Sequence, residues 1–195
     1  VELSLDPFKV NLVVADPTRG GGAITLAATP AIKKLGVSSR GRIFEIDPKI
    51  EYMIAPPRMH LYMEYSCKVY KVFLEFIAKE DIHVYSIDES FLDVTSYLNL
   101  YQVNAKELVK KMLDRIYEKT GLIATVGIGT NLYLAKIAMD ISAKHNADRM
   151  AYLNEDLYRQ TLWHHVPLTD FWMLGNGTER RLHKLGIYDM YDLCQ

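Results

Sequence analysis

"VYSIDESFLDVT", residues 84–95, sets two adjacent carboxylates, Asp88 and Glu89, between two short runs that read as β-strands, with Asp93 four residues further on. Successive side chains of a strand point to opposite faces, so the two acids reach a common point only where the strand bends or ends. The stretch therefore reads as a hairpin with the acids at its junction. A solvated acidic turn is the ordinary use of such a pair, because charged residues are mostly exposed. The flanks argue for more: Val84, Tyr85 and Ile87 precede the pair, and Phe91, Leu92 and Val94 follow it. Acids kept at a turn of a buried sheet need a compensating cation, since an unpaired ionised carboxylate is expensive there. Hard oxygen donors of this kind suit magnesium, which takes one or two carboxylates and completes its shell with substrate phosphates.

Outward from the hairpin, the pattern is mixed. Residues 9–16, "KVNLVVAD", read as a strand that ends in the flexible loop "PTRGGGA". "ITLAA", 24–28, reads as a second strand, and Thr29-Pro30 as the N-cap and first turn of a short helix that stops at Gly36. Apolar recurrence at Leu61, Tyr65, Val69, Val72, Phe73, Phe76 and Ile77 predicts one amphipathic helix over 58–79. Residues 104–121 carry Leu108, Met112, Leu113 and Ile116 on one helical face, with Gly121 as the C-cap. "LIATVGIG", 122–129, is a β-run, and Thr130 is placed to cap a helix through Lys144. Strand pair, helix, strand, helix is the order of a split βαβ sheet covered by helices on one face, an α/β (α+β) fold of ferredoxin-like type. The chain beyond about Glu155 is helical.

Bulk properties frame this reading without deciding it. With 195 residues, 49% of them hydrophobic, the chain can bury a sizeable core as one large domain or two small ones. The 23 Lys and Arg against 24 Asp and Glu leave a formal net charge of -1, so general basicity does not mark a nucleic-acid binder, although a local patch can serve. Cys67 and Cys194 lie far apart with no Cys-x-x-Cys spacing, which fits reduced thiols in a cytosol. No apolar run approaches membrane-spanning length, and "VELSLDPFKV" has no basic region followed by an apolar one. A cytoplasmic location without membrane partners is the expectation.

"YSIDESFLDVT", "GIGTNLYLAKIAMDISAK" (127–144) and "LAATPAIKKLGV" (26–37) together resemble the Y-family translesion DNA polymerases, in particular their UmuC-like branch in Gram-positive bacteria. The resemblance covers nearly the whole chain and implies a palm at 1–14 and 55–153, an inserted fingers lobe at 15–54, and a partial thumb at 154–195. It implies two-metal nucleotidyl transfer, with two magnesium ions about 4 Å apart clamping the attacking and leaving oxygens. Asp88 would bridge both ions and Glu89 would hold the one that activates the primer terminus. Lys136 matches a lysine that reaches the triphosphate, a role suited to an ammonium. Primer-template DNA and a deoxynucleoside triphosphate are the implied partners, in damage repair under the SOS response. A sliding clamp is implied for the full-length protein.

The sequence departs from the family pattern in two places. Where the fingers commonly carry a tyrosine and, three residues later, an arginine, this chain has Pro30 and Lys33. Lysine keeps the charge but loses the planar fork, so Lys33 is expected to hold nucleotide more loosely, and Lys33→Arg in the complete enzyme is expected to lower the nucleotide KM. At the start, Val1-Glu2 resemble the tail of a first palm strand that supplies a third metal-binding acid. The expectation is that these 195 residues alone lack polymerase activity, and that the palm sheet is gapped, distorted or completed by another segment or a second chain.

"FWMLGNGTERRLHKLGIYDMYDLC", 171–194, resembles the helix-hairpin-helix of the family's thumb, in which Gly175 and Gly177 would offer backbone N–H groups to a DNA phosphate and Arg180 would add charge. Other residues read as structural. His164 and His165 lack metal spacing, Trp163, Trp172 and the tyrosines at 62, 65, 70 and 117 sit at core spacing, Lys34 is a surface charge, Asp93 is structural, and Arg58 fixes a helix start. The rival reading is a non-catalytic DNA-binding or assembly module on a polymerase scaffold. A nucleotide cyclase on a similar sheet would lack both the glycine hairpin and the fingers insertion.

Overall fold

A computed structural model of the chain describes residues 5, 6 and 8–195, so the Val1-Glu2 reading lies outside the described residues. The chain forms two compact units, Val1–Met63 and Glu64–Gln195. Among the described residues, no helix is long and apolar enough to cross a membrane.

In the first unit β1 (Leu12–Val14) lies between β2 (Ala27–Ala28), antiparallel to it, and β3 (Met53–Ala55), parallel to it. Val13 stands opposite both Ala28 and Ile54 and packs with Ile32, Val37 and Ile46 into a small core. The expected flexible loop is a 3-10 helix, Pro17–Gly22, whose first turn Asp16 caps by accepting from the backbone and hydroxyl of Thr18. Thr29 occupies the N-cap position of α1 (Pro30–Lys33) as expected, but its side chain makes no capping bond. Its hydroxyl instead donates to the Val10 carbonyl at 2.7 Å and accepts from the Leu12 amide at 3.2 Å, tying the helix start to β1. Gly36, at φ 86°, ends the turn as a left-handed residue, a conformation open to glycine at little cost. The sequence reading passes over β3, because three residues are too few to show a period of two.

α2 (Met59–Phe73) is shorter than its apolar periodicity predicts. Residues 74–76 turn, and Ile77 enters a cluster with Leu108 and Met112 that Ile82 and Leu92 also join. Those last two residues face each other across β4 (Ile82–Val84) and β5 (Ser90–Leu92). Asp93 then accepts from the Thr95 amide at 3.0 Å at the start of α3 (Thr95–Tyr101), which was not foreseen as a helix. The hydroxyl and amide of Thr95 hold the Asp93 carboxyl below its ordinary pKa. α4 (Ala105–Thr120) opens on reciprocal bonds between Asn104 and Glu107 and closes on Gly121 at φ 69°. It buries Leu108, Val109, Met112 and Ile116, roughly 1.5–3 kcal/mol of transfer free energy for each large aliphatic side chain.

β6 (Val126–Gly129) pairs in parallel with β7 (Met150–Leu153), and the connection between them is helical. Asn131, not Thr130, caps α5 (Leu132–Ile137), accepting from the Leu134 amide at 2.9 Å. The predicted continuous helix to Lys144 instead opens into a π-helical segment, Ala138–Ser142, and ends as a 3-10 turn, Ala143–His145. Leu134, Ile137 and Leu153 share one core with Leu162, Leu168 and Phe171, so the chain after α6 (Glu155–Leu162) packs on the β6–α5–β7 layer. α7 (Asn176–Lys184) and α8 (Met190–Leu193) follow. The split βαβ sheet is gapped, one of the forms expected of it: among the described residues, β4–β5 and β6–β7 are separate two-stranded sheets. The mixed helix-and-strand class stands.

Beyond the end of α2, Glu75 accepts from Arg115 at 2.8 Å and from Lys119, both on α4. Hydrogen bonds from Lys119 and then Arg115 pull the Glu75 pKa below its ordinary 4.5. A depressed carboxylate stabilises the fold fully above its unfolded pKa and loses that contribution as pH falls through the folded value. Glu75→Gln is therefore expected to lower Tm at neutral pH, with the difference from wild type vanishing below the ordinary carboxylate range in a calorimetric pH series.

Candidate functional site

The hairpin and the helix after β6 meet at one ion pair. Between β4 and β5 the chain needs five residues, Tyr85 to Glu89, rather than a tight two-residue turn, and the amides of Tyr85 and Ser86 both donate to the Glu89 carbonyl at 3.0 Å. Within that turn the two acids take different partners. Asp88 Oδ1 accepts from Ser86 Oγ at 2.7 Å, while Glu89 Oε2 accepts from Lys136 Nζ at 2.7 Å. Lys136 stands 47 positions away in sequence and its side chain is 7% exposed, whereas that of Glu89 is 30% exposed.

Two features seat Lys136 there. Gly127 and Gly129 on β6 carry no side chain where the α5 backbone lies: a Cβ on Gly129 would stand 2.7 Å from the Leu134 carbonyl carbon, and one on Gly127 2.9 Å from Met139 Cβ. The helix therefore rests on the strand itself. Asp140, one turn along, accepts from Lys136 at 3.2 Å and from Lys144 at 3.1 Å. Burial lowers the pKa of Lys136, but its hydrogen bonds to Glu89 and Asp140 outweigh that and raise it above the ordinary lysine value. A raised amine pKa keeps the ammonium charged at every pH below it. Tyr85 adds its ring 5.9 Å from Lys136 Nζ and is braced by the edge of Trp172, whose indole N–H donates to the Tyr85 hydroxyl at 3.3 Å. Trp172 is thus structural, as its spacing suggested.

Among the described residues, no group of three or more His, Cys, Asp or Glu is arranged as a closed metal site. Asp88 and Glu89 are adjacent carboxylates whose contacts in the structure are to Ser86 and Lys136; two oxygen donors of this type are what a divalent cation sharing its shell with phosphate and water would ask of a protein. An open groove of about 340 Å³ lies elsewhere, lined by Asn104, Ile128, Met150 and Tyr152 among others, and none of these acids borders it.

Lys33 is the exposed last residue of α1, in the first unit. Gly175 is the N-cap of α7, with its carbonyl taken by the amides of Thr178 and Glu179. Neither Gly175 nor Gly177 is required by packing, since an added Cβ at either would meet nothing within 4 Å. Arg180 is exposed and donates to the Asn176 carbonyl at 3.2 Å. The element directly before this turn is the short 3-10 segment Leu168–Asp170, with α6 further back. His164 and His165 pair with Asp189 and Asp170 at 2.8 Å each. Sequence reasoning missed Ser86, Asp140, Lys144 and the two strand glycines. The i, i+4 spacing of 136, 140 and 144 and the i, i+2 spacing of 127 and 129 were the available signals.

The model of the impB/mucB/samB family matches residues 1–140. A putative UV-damage repair protein of Bacillus subtilis, UvrX, is 35% identical over 198 residues, which cover 100% of this chain and 46% of that protein. The Bacillus subtilis protein DNA polymerase IV 2 is 33% identical over 191 residues, covering 96% of this chain and 45% of its own. A solved Y-family DNA polymerase chimera superposes with a TM-score of 0.78 at 25% identity, covering 99% of this chain and 55% of that one. The chain spans about half the length of the curated relatives it matches.

Proposed function

The chain belongs to the impB/mucB/samB family, and from that premise we propose that it supplies the metal- and nucleotide-holding part of a DNA-directed DNA polymerase of the translesion type. The observation that supports this reading is the 2.7 Å contact between Glu89, beside Asp88 in the hairpin, and the nearly buried ammonium of Lys136. Two acids and one fixed cation are the parts that phosphoryl transfer asks of a protein, whose work is positioning and charge neutralisation. Asp88 and Glu89 would hold magnesium, which when bound supplies Lewis-acid stabilisation of the attacking and leaving oxygens. Ser86 orients Asp88 before any ligand arrives, and Lys136 presents positive charge to triphosphate oxygens. Lys33, on α1 of the first unit, is proposed in its own right as a nucleotide-phosphate contact, looser than an arginine would make.

Primer-template DNA is the proposed macromolecular substrate. Gly175 and Gly177, bare where the fold does not need them bare, would let a phosphate approach the first N–H groups of α7, and Arg180 would add charge. Such binding carries no base readout and weakens steeply with salt. A cytoplasmic role in SOS-dependent repair and a sliding-clamp contact are part of the proposal for the protein as a whole.

The test is binding of a deoxynucleoside triphosphate to the purified protein with and without magnesium, in wild type and Asp88→Ala. Magnesium-dependent binding lost in the variant is the expected result. Equal binding by both proteins, or binding indifferent to magnesium, would favour the non-catalytic scaffold.

A further inference from the structure

Glu89, Lys136, Asp140 and Lys144 form an alternating chain of charge, with links of 2.7, 3.2 and 3.1 Å. Exposure rises along it away from the centre: the Lys136 side chain is 7% exposed, Asp140 21%, Lys144 56%. Resting on the functional reading above, we propose that Asp140 is a positioning residue that lets Lys136 release Glu89 to a divalent cation.

A cation arriving at the Glu89 carboxylate repels the ammonium that Oε2 holds. Lys136 then loosens its shorter contact. A nearly buried ammonium left without an acid is costly, and that cost opposes metal binding. Asp140 removes it, because it already accepts from Lys136 and sits one helical turn away on the same element, so the exchange needs no movement of backbone. Asp140 is free to take the full ammonium because its other partner, Lys144, is mostly in water and can be rehydrated cheaply. The π-helical segment Ala138–Ser142 contains Asp140, and such bulges commonly re-aim side chains at functional positions.

The test is a double-mutant cycle on Mn²⁺ affinity, read from the electron paramagnetic resonance signal of free Mn²⁺, in wild type, Asp140→Asn, Lys136→Met and the double variant. Asp140→Asn is expected to weaken Mn²⁺ binding about tenfold, the worth of one hydrogen bond to a charged group. In the Lys136→Met background, where no ammonium needs rehousing, the same change is expected to matter less than about twofold. Equal weakening in both backgrounds would make Asp140 a plain field charge and overturn the proposal, as would no weakening in either. Glu89→Gln separates the two levels: unchanged Mn²⁺ affinity there would overturn the metal reading itself and this proposal with it. An independent measurement needs no variant of Asp140. The ¹⁵N-resolved ammonium signal of Lys136 should shift yet persist on addition of Mg²⁺, because it stays hydrogen-bonded, and its loss to solvent exchange would overturn the proposal.

Discussion

Replacing Gly129 by alanine is expected to lower the unfolding free energy of the protein by about 3 kcal/mol or more, the upper end of what overpacking costs. The added methyl would stand 2.7 Å from the Leu134 carbonyl carbon and 2.8 Å from Ala135 Cα, both backbone atoms of α5 that cannot rotate away. Relief requires lifting the helix from β6. Leu134, Ile137 and Ala138 would then withdraw from the core they share with Leu153, Leu168 and Phe171. Lys136 rides on the same helix, so magnesium-dependent nucleotide binding should weaken together with stability. The control is Gly177→Ala, where the methyl meets open space and the residue lies in the first turns of α7. That change should be neutral or stabilising by up to about 1 kcal/mol, because glycine is the poorer helix former. Urea denaturation of both variants checks the pair, and a Gly129→Ala midpoint equal to wild type would mean that the strand and helix are not in backbone contact.

Asp88→Ala in the complete protein is expected to reduce magnesium-dependent primer extension by about a thousandfold or more, with Glu89→Gln close behind. At about 1.4 kcal/mol per factor of ten, a thousandfold loss corresponds to about 4 kcal/mol, the scale of losing one metal-holding charge at a reacting phosphate. Ser86→Ala should cost far less, since it removes only the 2.7 Å bond that orients Asp88 and leaves the carboxylate in place. Single-turnover extension at saturating nucleotide distinguishes the three. Asp88→Ala and Ser86→Ala of equal activity would show that the Asp88 carboxylate does no work in the reaction.

Much of this was legible in the chain. The hairpin was readable because apolar and aromatic residues flank Asp88 and Glu89 on both sides, and α4 because its apolar face and Gly121 agree with one another. The two threonine hydroxyls expected to cap helices do not do so, for a physical reason. Thr29 and Thr130 are chemically suitable caps, but the first spends its hydroxyl on β1 and the second yields to Asn131 one residue later. Local signals cannot show which of two adjacent polar residues the tertiary fold leaves free. The length of α2 was overestimated because Phe76 and Ile77 continue its period while serving the next core cluster. The helix after β6 was read as regular because nothing in composition marks a π-turn.

By itself the sequence determined the kinds of chemistry present: adjacent acids at a strand turn, a lysine on the helix after the following strand, and a bare glycine turn near a basic stretch. Those follow from side-chain type and short-range period, which the chain carries wherever it goes. Only the tertiary structure decided that Glu89 takes Lys136 as its partner and Asp88 takes Ser86, that Asp140 shares the ammonium, and that two strand glycines exist to let a helix lie on the backbone. The reason is distance: an ion pair spanning 47 positions depends on packing of α5 against β6, and packing is a property of volumes meeting in space, which no local pattern records.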